Sequence, residues 1–368
     1  MNITILQGAF LPVPPVRGGA VEKRWFQLGK EFAARGHTVT HVSRRWTDFP
    51  DAESIESVAH VRRGGFDAPR NGILLKLLDG MYTLQSAGAV PRDSDIIVTN
   101  TFWAPLLLPL CGRGRVYVDV ARMPKGQMRL YGQAARLRAN STPVADAIRR
   151  EVPASWNSRV CMIPNPLPFV PAESVELAEK QPVVLYAGRV HPEKGLHLLR
   201  EFVTQMPADW SLCIVGPWQV NAGGGGPDYV QSLKAMLDSP RVRFLDPIYD
   251  AAALNALYRS ASLFVYPSVA EKGETFGLAP LEAMAWGCVP VVSDLACFKD
   301  FIRPDENGAV FDHRRTDAET LLARAVLSLI NDPHHRVRLA QRALDVRQSH
   351  APRRIAELFL ADFESLLA

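Results

Sequence analysis

The chain has 368 residues, 47% hydrophobic and 22% charged, with 42 Lys and Arg against 38 Asp and Glu. That length holds two domains of ordinary size, and that balance excludes an intrinsically disordered chain. No apolar run reaches the ~20 residues a membrane-spanning helix needs, and the five cysteines form no Cys-x-x-Cys pair, so a zinc site or disulfide framework is not expected. Reduced thiols, and an opening strand with no basic, apolar leader ahead of it, point to the cytoplasm.

Short β-branched runs alternate with longer amphipathic ones, the pattern of parallel sheets wrapped by helices. In the first half, strands are expected at Asn2–Leu6, Val39–Val42, Ile96–Thr99, Val116–Val118, Leu137–Ala139 and Val160–Ile163, with helices at Ala20–Arg35 and Val144–Glu151. The loop Phe10–Arg17 carries three prolines and is expected to form a wall of a cleft. Prolines crowd Pro164–Pro171, which cannot hold regular helix or interior strand and reads as a linker.

The alternation then restarts. Strands are expected at Val183–Ala187, Ser211–Val215, Val242–Leu245, Leu263–Tyr266 and Val289–Val292. Helices are expected from Gly195, near Tyr229–Leu237, and at Ala251–Arg259, Pro280–Ala285 and within Thr316–Ala368. The run Gly223–Gly226 reads as a flexible surface loop. The expected domains are residues 1–165, a linker 166–182, a second domain 183–350, and a final helix 351–368.

Charge is uneven. Residues 1–150 hold 21 basic and 12 acidic side chains, a net of +9, and the remainder holds 21 basic and 26 acidic, a net of −5. A basic first domain suits an anionic surface, either a membrane face or a phosphate-bearing acceptor, as well as it suits a solvated arginine-rich exterior. Nucleic acid is not expected, because no binding motif or aromatic stacking pattern accompanies the charge.

The most informative stretch is Glu274–Glu282, in which two carboxylates bracket seven residues of an otherwise apolar segment. Thr275, Phe276 and Gly277 read as a turn, Pro280 suits the first turn of a helix, and Gly287 stops it. Amides at such a helix start face outward with the positive end of the helix dipole behind them, which suits phosphate oxygens. Glu282, inside the helix, suits sugar hydroxyls; Glu274, ahead of the turn, is placed to meet the other end of the same ligand. Arg189 follows a strand that ends in glycine and Lys194 precedes Gly195, so both are expected at the carboxyl edge of the sheet. Gly18 and Gly19, between the first strand and the first helix, read as a phosphate-binding turn.

The Glu274–Glu282 stretch resembles the E-x7-E signature of family 4 glycosyltransferases, retaining enzymes of GT-B fold that use nucleotide sugars. Further matches to that family are Arg17-Gly18-Gly19-Ala20, Arg35-Gly36-His37, Gly188-Arg189 with Lys194-Gly195, Tyr266-Pro267-Ser268, and Asn307-Gly308. They span nearly the whole chain and are more specific in its second half. The resemblance implies an α/β fold of two Rossmann-like domains facing across a cleft, the last helix crossing back to the first domain.

It also implies roles. Arg189 and Lys194 would stabilise the departing diphosphate in place of a metal, with Glu274 near the donor sugar and Glu282 on the ribose. Gly18, Gly19, Thr275, Phe276, Gly277 and Leu278 would line the donor, the diphosphate meeting the amides of Phe276, Gly277 and Leu278. No cofactor and no metal are expected, the nucleoside-diphosphate sugar being a co-substrate; Asp93-Ser94-Asp95 has metal-motif spacing but precedes its strand. Many family members carry a histidine after a mid-domain strand of the first half. Here Asp119 stands in that place, and Asp119, Arg122 and Lys125 are the candidate sugar or acceptor contacts.

The expected activity is transfer of a hexose-type sugar to a glycan, lipid-linked or small-molecule acceptor in cell-surface polysaccharide or glycoconjugate synthesis. Domain closure about the linker would exclude water. Its rivals are a non-catalytic nucleotide-binding partner of a glycosyltransferase complex, and another GT-B enzyme such as a sugar-nucleotide epimerase or a phosphorylase. No acid/base set for an epimerase and no context for a pyridoxal lysine stands out.

Overall fold

The β-branched runs of the first 170 residues form one sheet, as a computed structural model describing residues 1–67, 69, 71–171 and 174–368 shows. In chain order the elements are β1 (Asn2–Leu6), α1 (Ala20–Ala33), β2 (Thr38–Arg44), β3 (Ala52–Ile55), β4 (Val58–Arg63), α2 (Gly72–Ala87), β5 (Ile96–Thr99), α3 (Ala104–Leu107), β6 (Arg115–Val120), β7 (Arg136–Ala139), α4 (Thr142–Glu151) and β8 (Val160–Met162). The strands order as β3-β4-β2-β1-β5-β6-β7-β8, parallel except where β3 meets β4. All four residues of β5 are buried, as in a strand covered on both faces. The β3–β4 edge and α2 were not expected from the sequence. Asp93 and Asp95 serve this sheet: the Asp95 carboxylate accepts from the Asn2 amide at 2.7 Å and that of Asp93 from the Asn2 side chain at 3.0 Å.

The second unit repeats the plan over residues 171–349. It comprises β9 (Gln181–Ala187), α5 (Arg200–Gln205), β10 (Ser211–Val215), α6 (Pro227–Met236), β11 (Val242–Leu245), α7 (Ala251–Ser260), β12 (Ala261–Tyr266), α8 (Leu278–Ala285), β13 (Val289–Ser293), β14 (Ala309–Phe311), α9 (Ala318–Asn331), α10 (Pro333–Ala343) and α11 (Val346–Ser349). Its six strands are all parallel, in the order β11-β10-β9-β12-β13-β14. The strand order reverses between β9 and β12, the position where open α/β sheets bind ligands.

The last helix, α12 (Pro352–Leu367), belongs to the first unit, which consists of residues 1–170 and 350–368. Its stripe Ile355, Phe359 and Phe363 is fully buried. Phe359 meets Trp25 edge-on at 5.1 Å and Phe363 meets Tyr117 at 4.9 Å, which seats α12 beside α1 on the sheet. The Tyr117 hydroxyl donates to Asp362 at 2.8 Å, and Arg136 pairs with the same carboxylate at 2.6 Å. The start of the proline run also packs in this unit, where Leu167 is fully buried and its amide donates to the His350 carbonyl.

Candidate active site

Two loops meet at the carboxyl ends of β9 and β12. The first runs through Arg189 into a short helical turn, Pro192–Lys194, where the His191 ring accepts from the Glu193 amide at 3.3 Å. The Glu193 carbonyl accepts from the Val269 amide at 2.9 Å and the Ser268 hydroxyl at 3.3 Å, stitching this turn to the loop after β12. Gly195 permits the approach. Its backbone is left-handed (φ +67°), and a β-carbon there would lie 2.0 Å from the Pro267 carbonyl oxygen.

Lys194 is buried, 5% exposed, with its Nζ 2.6 Å from Glu274 Oε2 and 5.4 Å from the centre of the Tyr266 ring. Burial, and then the Glu274 charge, push the Tyr266 phenol well above its ordinary value, so Tyr266 stays protonated against that carboxylate. Tyr266 stacks on Tyr186 at 5.6 Å, and the Tyr186 hydroxyl donates to the Arg189 carbonyl at 2.7 Å. The Arg189 guanidinium reaches the Gly223 carbonyl at 2.7 Å and Glu193 Oε1 at 2.6 Å, its side chain 42% exposed. Burial would raise the Glu193 carboxyl; Arg189 and Lys194 outweigh it and hold the group below its ordinary range.

The glycine run Gly223–Gly226 is not the flexible loop its composition suggested. Gly224 and Gly226 are buried, the Gly225 amide donates to the Val190 carbonyl at 2.9 Å and the Gly226 amide to that of Trp218 at 2.8 Å. A β-carbon on Gly224 would lie 2.1 Å from the Trp218 backbone, so these glycines allow two segments to touch beneath Arg189.

The helix α8 opens at Leu278, two residues ahead of Pro280, with Gly277 as its N-cap. The amides at its start without a helical partner are those of Gly277, Leu278 and Ala279, of which Gly277 and Leu278 belong to the expected set. Phe276 is buried and stacks on Phe301 at 5.2 Å; Thr275 is half-buried beside it. At the other end, Lys180 donates to the Trp286 carbonyl at 2.5 Å and Arg347 to that of Ala285 at 2.6 Å, cations complementing the C-terminal dipole. Glu282 is buried on α8 and accepts from the Tyr258 hydroxyl at 3.2 Å.

In the first unit, Gly18 and Gly19 follow the proline loop, with Gly19 as the N-cap of α1. Three residues on, Glu22 is 8% exposed. Burial raises its carboxyl above the ordinary value, against the opposing charges of Arg24 and Arg122. Arg122 and Lys125 lie exposed after β6.

Asp119, the proposed substitute for a sugar-contacting histidine, is corrected by its surroundings. Its side chain has no solvent exposure. One carboxylate oxygen pairs with Arg138 at 2.6 Å; the other accepts from Trp25 at 2.8 Å and pairs with Arg24. Asn165 closes the cluster, accepting from Arg24 at 2.5 Å and Arg138 at 3.0 Å. Both oxygens are thus engaged in holding α1, β6, β7 and the start of the linker together. They are not presented to a sugar.

Among the described residues, no three His, Cys, Asp or Glu side chains are grouped to hold a metal ion, and no helix is long and apolar enough to cross a membrane.

Residues 172–346 match the family of glycosyl transferases group 1. This match lies within the second unit. Among its relatives is a D-inositol 3-phosphate glycosyltransferase of Rhodococcus opacus, 27% identical over 231 residues that cover 59% of this chain and 50% of the relative. The chain thus spans half the length of that curated relative. The sucrose-phosphate synthase of Thermosynechococcus elongatus aligns with 100% of this chain and 99% of its own at a TM-score of 0.76 and 19% identity. Anabaena HepE, solved with UDP and glucose, aligns with 99% of this chain and 100% of its own at 0.73 and 17%. These likenesses show the GT-B fold of two Rossmann-like units.

Arg189, Lys194, Glu274 to Leu278 and Glu282 all fall inside the matched segment, and the structure brings Arg189, Lys194 and Glu274 to one sheet edge. Gly18, Gly19, Asp119, Arg122 and Lys125 fall outside it. Glu193 and Tyr266 link the cationic pair to Glu274; the sequence offered them only as members of matched motifs, not as site residues. The only signal for Glu193 is its place between Pro192 and Lys194, since what makes it a bridge is contact with a loop some 75 residues away.

Proposed function

We propose that this protein is a retaining glycosyltransferase that moves a hexose-type sugar from a nucleoside-diphosphate sugar to a glycan, lipid-linked or small-molecule acceptor. The carrying observation is the meeting of Arg189, Lys194 and the α8 N-terminus at the carboxyl edge of β9 and β12, with Glu274 against Lys194. Charge builds on the leaving diphosphate as the bond from anomeric carbon to oxygen breaks. Two cations and a helix N-terminus offer preorganised stabilisation of that charge without solvent reorganisation. We assign this role to Arg189 and Lys194 in place of a metal. Glu274 serves the electron-poor anomeric centre, and Glu282 the ribose hydroxyls.

A second reading has one observation in its favour. With Asp119 consumed by its two arginines, the position after β6 supplies no carboxylate or imidazole, which suits a non-catalytic nucleotide-binding partner.

Thermal unfolding of wild type and Arg189→Ala should be followed with each nucleoside diphosphate and nucleotide sugar, with magnesium and with chelator. Ligand at 100 times its Kd stabilises by about 2.7 kcal/mol, well within reach of such a panel. Stabilisation by one base, indifferent to magnesium and lost in the variant, supports the reading. A flat panel rejects donor binding, and binding without donor consumption in the presence of acceptors selects the non-catalytic partner.

A further inference from the structure

Helix α2 is turned inside out. Its buried positions are Asp79, Tyr82, Thr83 and Ser86, whereas Ile73, Leu77, Met81 and Leu84 are 74%, 62%, 57% and 65% exposed. Spacings of four, four and three residues put these four side chains in one outward stripe, and Leu74, 45% exposed, widens it. The inward polar face holds the orientation. The Asp79 carboxylate accepts from the Phe102 amide at 3.2 Å, and the Tyr82 hydroxyl donates to the Gln7 carbonyl at 3.0 Å. Rotating the helix to hide its leucines would break both bonds.

The surroundings of the stripe are aromatic and cationic. Lys76 is the one exposed ionisable residue on α2, its ammonium 5.1 Å from the centre of the Phe102 ring. The Trp103 indole donates to the Lys76 carbonyl at 2.7 Å. At the C-terminal end Arg113 reaches the carbonyls of Ala87 and Val90 at 2.5 and 2.9 Å. Leu110, 72% exposed, stands in the turn that continues α3, which itself packs against α2. The stretch 1–150 that carries this face has a net charge of +9.

We infer that α2 is a membrane-docking helix, lying in the plane of an anionic lipid surface with Ile73, Leu77, Met81 and Leu84 among the acyl chains. An outward apolar stripe flanked by Lys76 and aromatic side chains is the chemistry of an interfacial helix, and the net positive charge of residues 1–150 draws anionic headgroups. A 16-residue helix is too short to span the hydrocarbon core, so it lies on the bilayer. Charge selects this occupant over a second copy of the chain. Two copies joined by this face would set like charges together, whereas an anionic bilayer neutralises them.

The test is flotation of the full chain with vesicles of mixed phosphatidylcholine and phosphatidylglycerol, or of phosphatidylcholine alone. Wild type floats with the anionic vesicles, less so as salt rises, and the exposed double variant Leu77→Asn, Met81→Asn lowers the bound fraction by about tenfold. Lys76→Glu, which leaves the apolar stripe untouched, weakens binding to anionic vesicles only. Failure of wild type to float with either vesicle overturns the inference, as does equal flotation of the double variant. A concentration-dependent dimer that the double variant abolishes, with no flotation, assigns the face to a second copy instead.

Discussion

Lys194 Nζ lies 2.6 Å from Glu274 Oε2, an ion pair joining positions 80 apart in the chain at the edge where β9 and β12 end. Both side chains are largely buried, 6% and 11% exposed. The cation expected to meet the diphosphate and the carboxylate expected to meet the sugar therefore hold each other in place.

Removing one partner of such a pair leaves an uncompensated charge. Lys194→Met should cost roughly 3 kcal/mol of stability, read by urea unfolding. Glu274→Gln keeps shape and neutralises the site; turnover should fall by about 10²-fold or more with little change in donor affinity. Glu282→Ala should do the reverse, weakening donor binding more than turnover. An unchanged donor Michaelis constant in Glu282→Ala rejects its assignment to the ribose.

Asp119 should behave as a structural residue. Asp119→Asn leaves Arg138 buried without its carboxylate and Arg24 with only the charge of Glu22, and should lose roughly 3–5 kcal/mol. Donor affinity of the folded fraction should stay at the wild-type value. A stable variant with a selective loss of sugar binding would restore the sugar-contact role.

Acid should unfold this protein before its carboxylates titrate fully. His41 and His60 stack at 5.2 Å in the first unit, His60 with neither ring nitrogen bonded. Burial pushes His41 well below its ordinary value, and His60 and His350 down to about 4. The unfolded chain, titrating near 6.5, then binds more protons than the folded one, so stability falls as pH drops from about 6.5 through 4, by up to roughly 3 kcal/mol per histidine. Glu22 and Asp79, raised by burial, act in the opposite sense. Urea midpoints at pH 7 and pH 5 should differ in wild type and differ by less in His60→Phe, His41, His350, Glu22 and Asp79 being the same in both proteins.

Gly195→Ala should separate close approach from backbone strain. Gly195 and Gly36 are both left-handed, at φ +67° and +82°, but only Gly195 faces an atom, the Pro267 carbonyl oxygen. Gly36→Ala should cost about 1 kcal/mol, the strain alone. Gly195→Ala should cost more and weaken donor binding as well, because the Lys194 turn must move. Equal costs in the two variants would show that the contact has no role.

Local pattern located most of the strands. Asn2–Leu6, Ile96–Thr99, Ser211–Val215 and Val242–Leu245 form where β-branched and aliphatic side chains run together, because that preference acts within a few residues. Helix α2 and the β3–β4 edge escaped for the converse reason. In α2 the apolar residues face out, so periodicity carries no inward signal, and Ala52–Ile55 is an exposed edge with few β-branched residues.

By itself the sequence determined the alternation of strand and helix, the break at Pro164–Pro171, and the chemical types gathered at Arg189, Lys194, Glu274 and Glu282. These follow from side-chain preference and spacing, which are local. Tertiary structure alone decided what each charge meets: Glu274 meets Lys194, Glu193 meets Arg189, and Asp119 disappears between two arginines. A carboxylate reads the same in the chain whether it will face a sugar or a guanidinium. The difference lies in burial and in partners tens of residues away, and those are properties of packing.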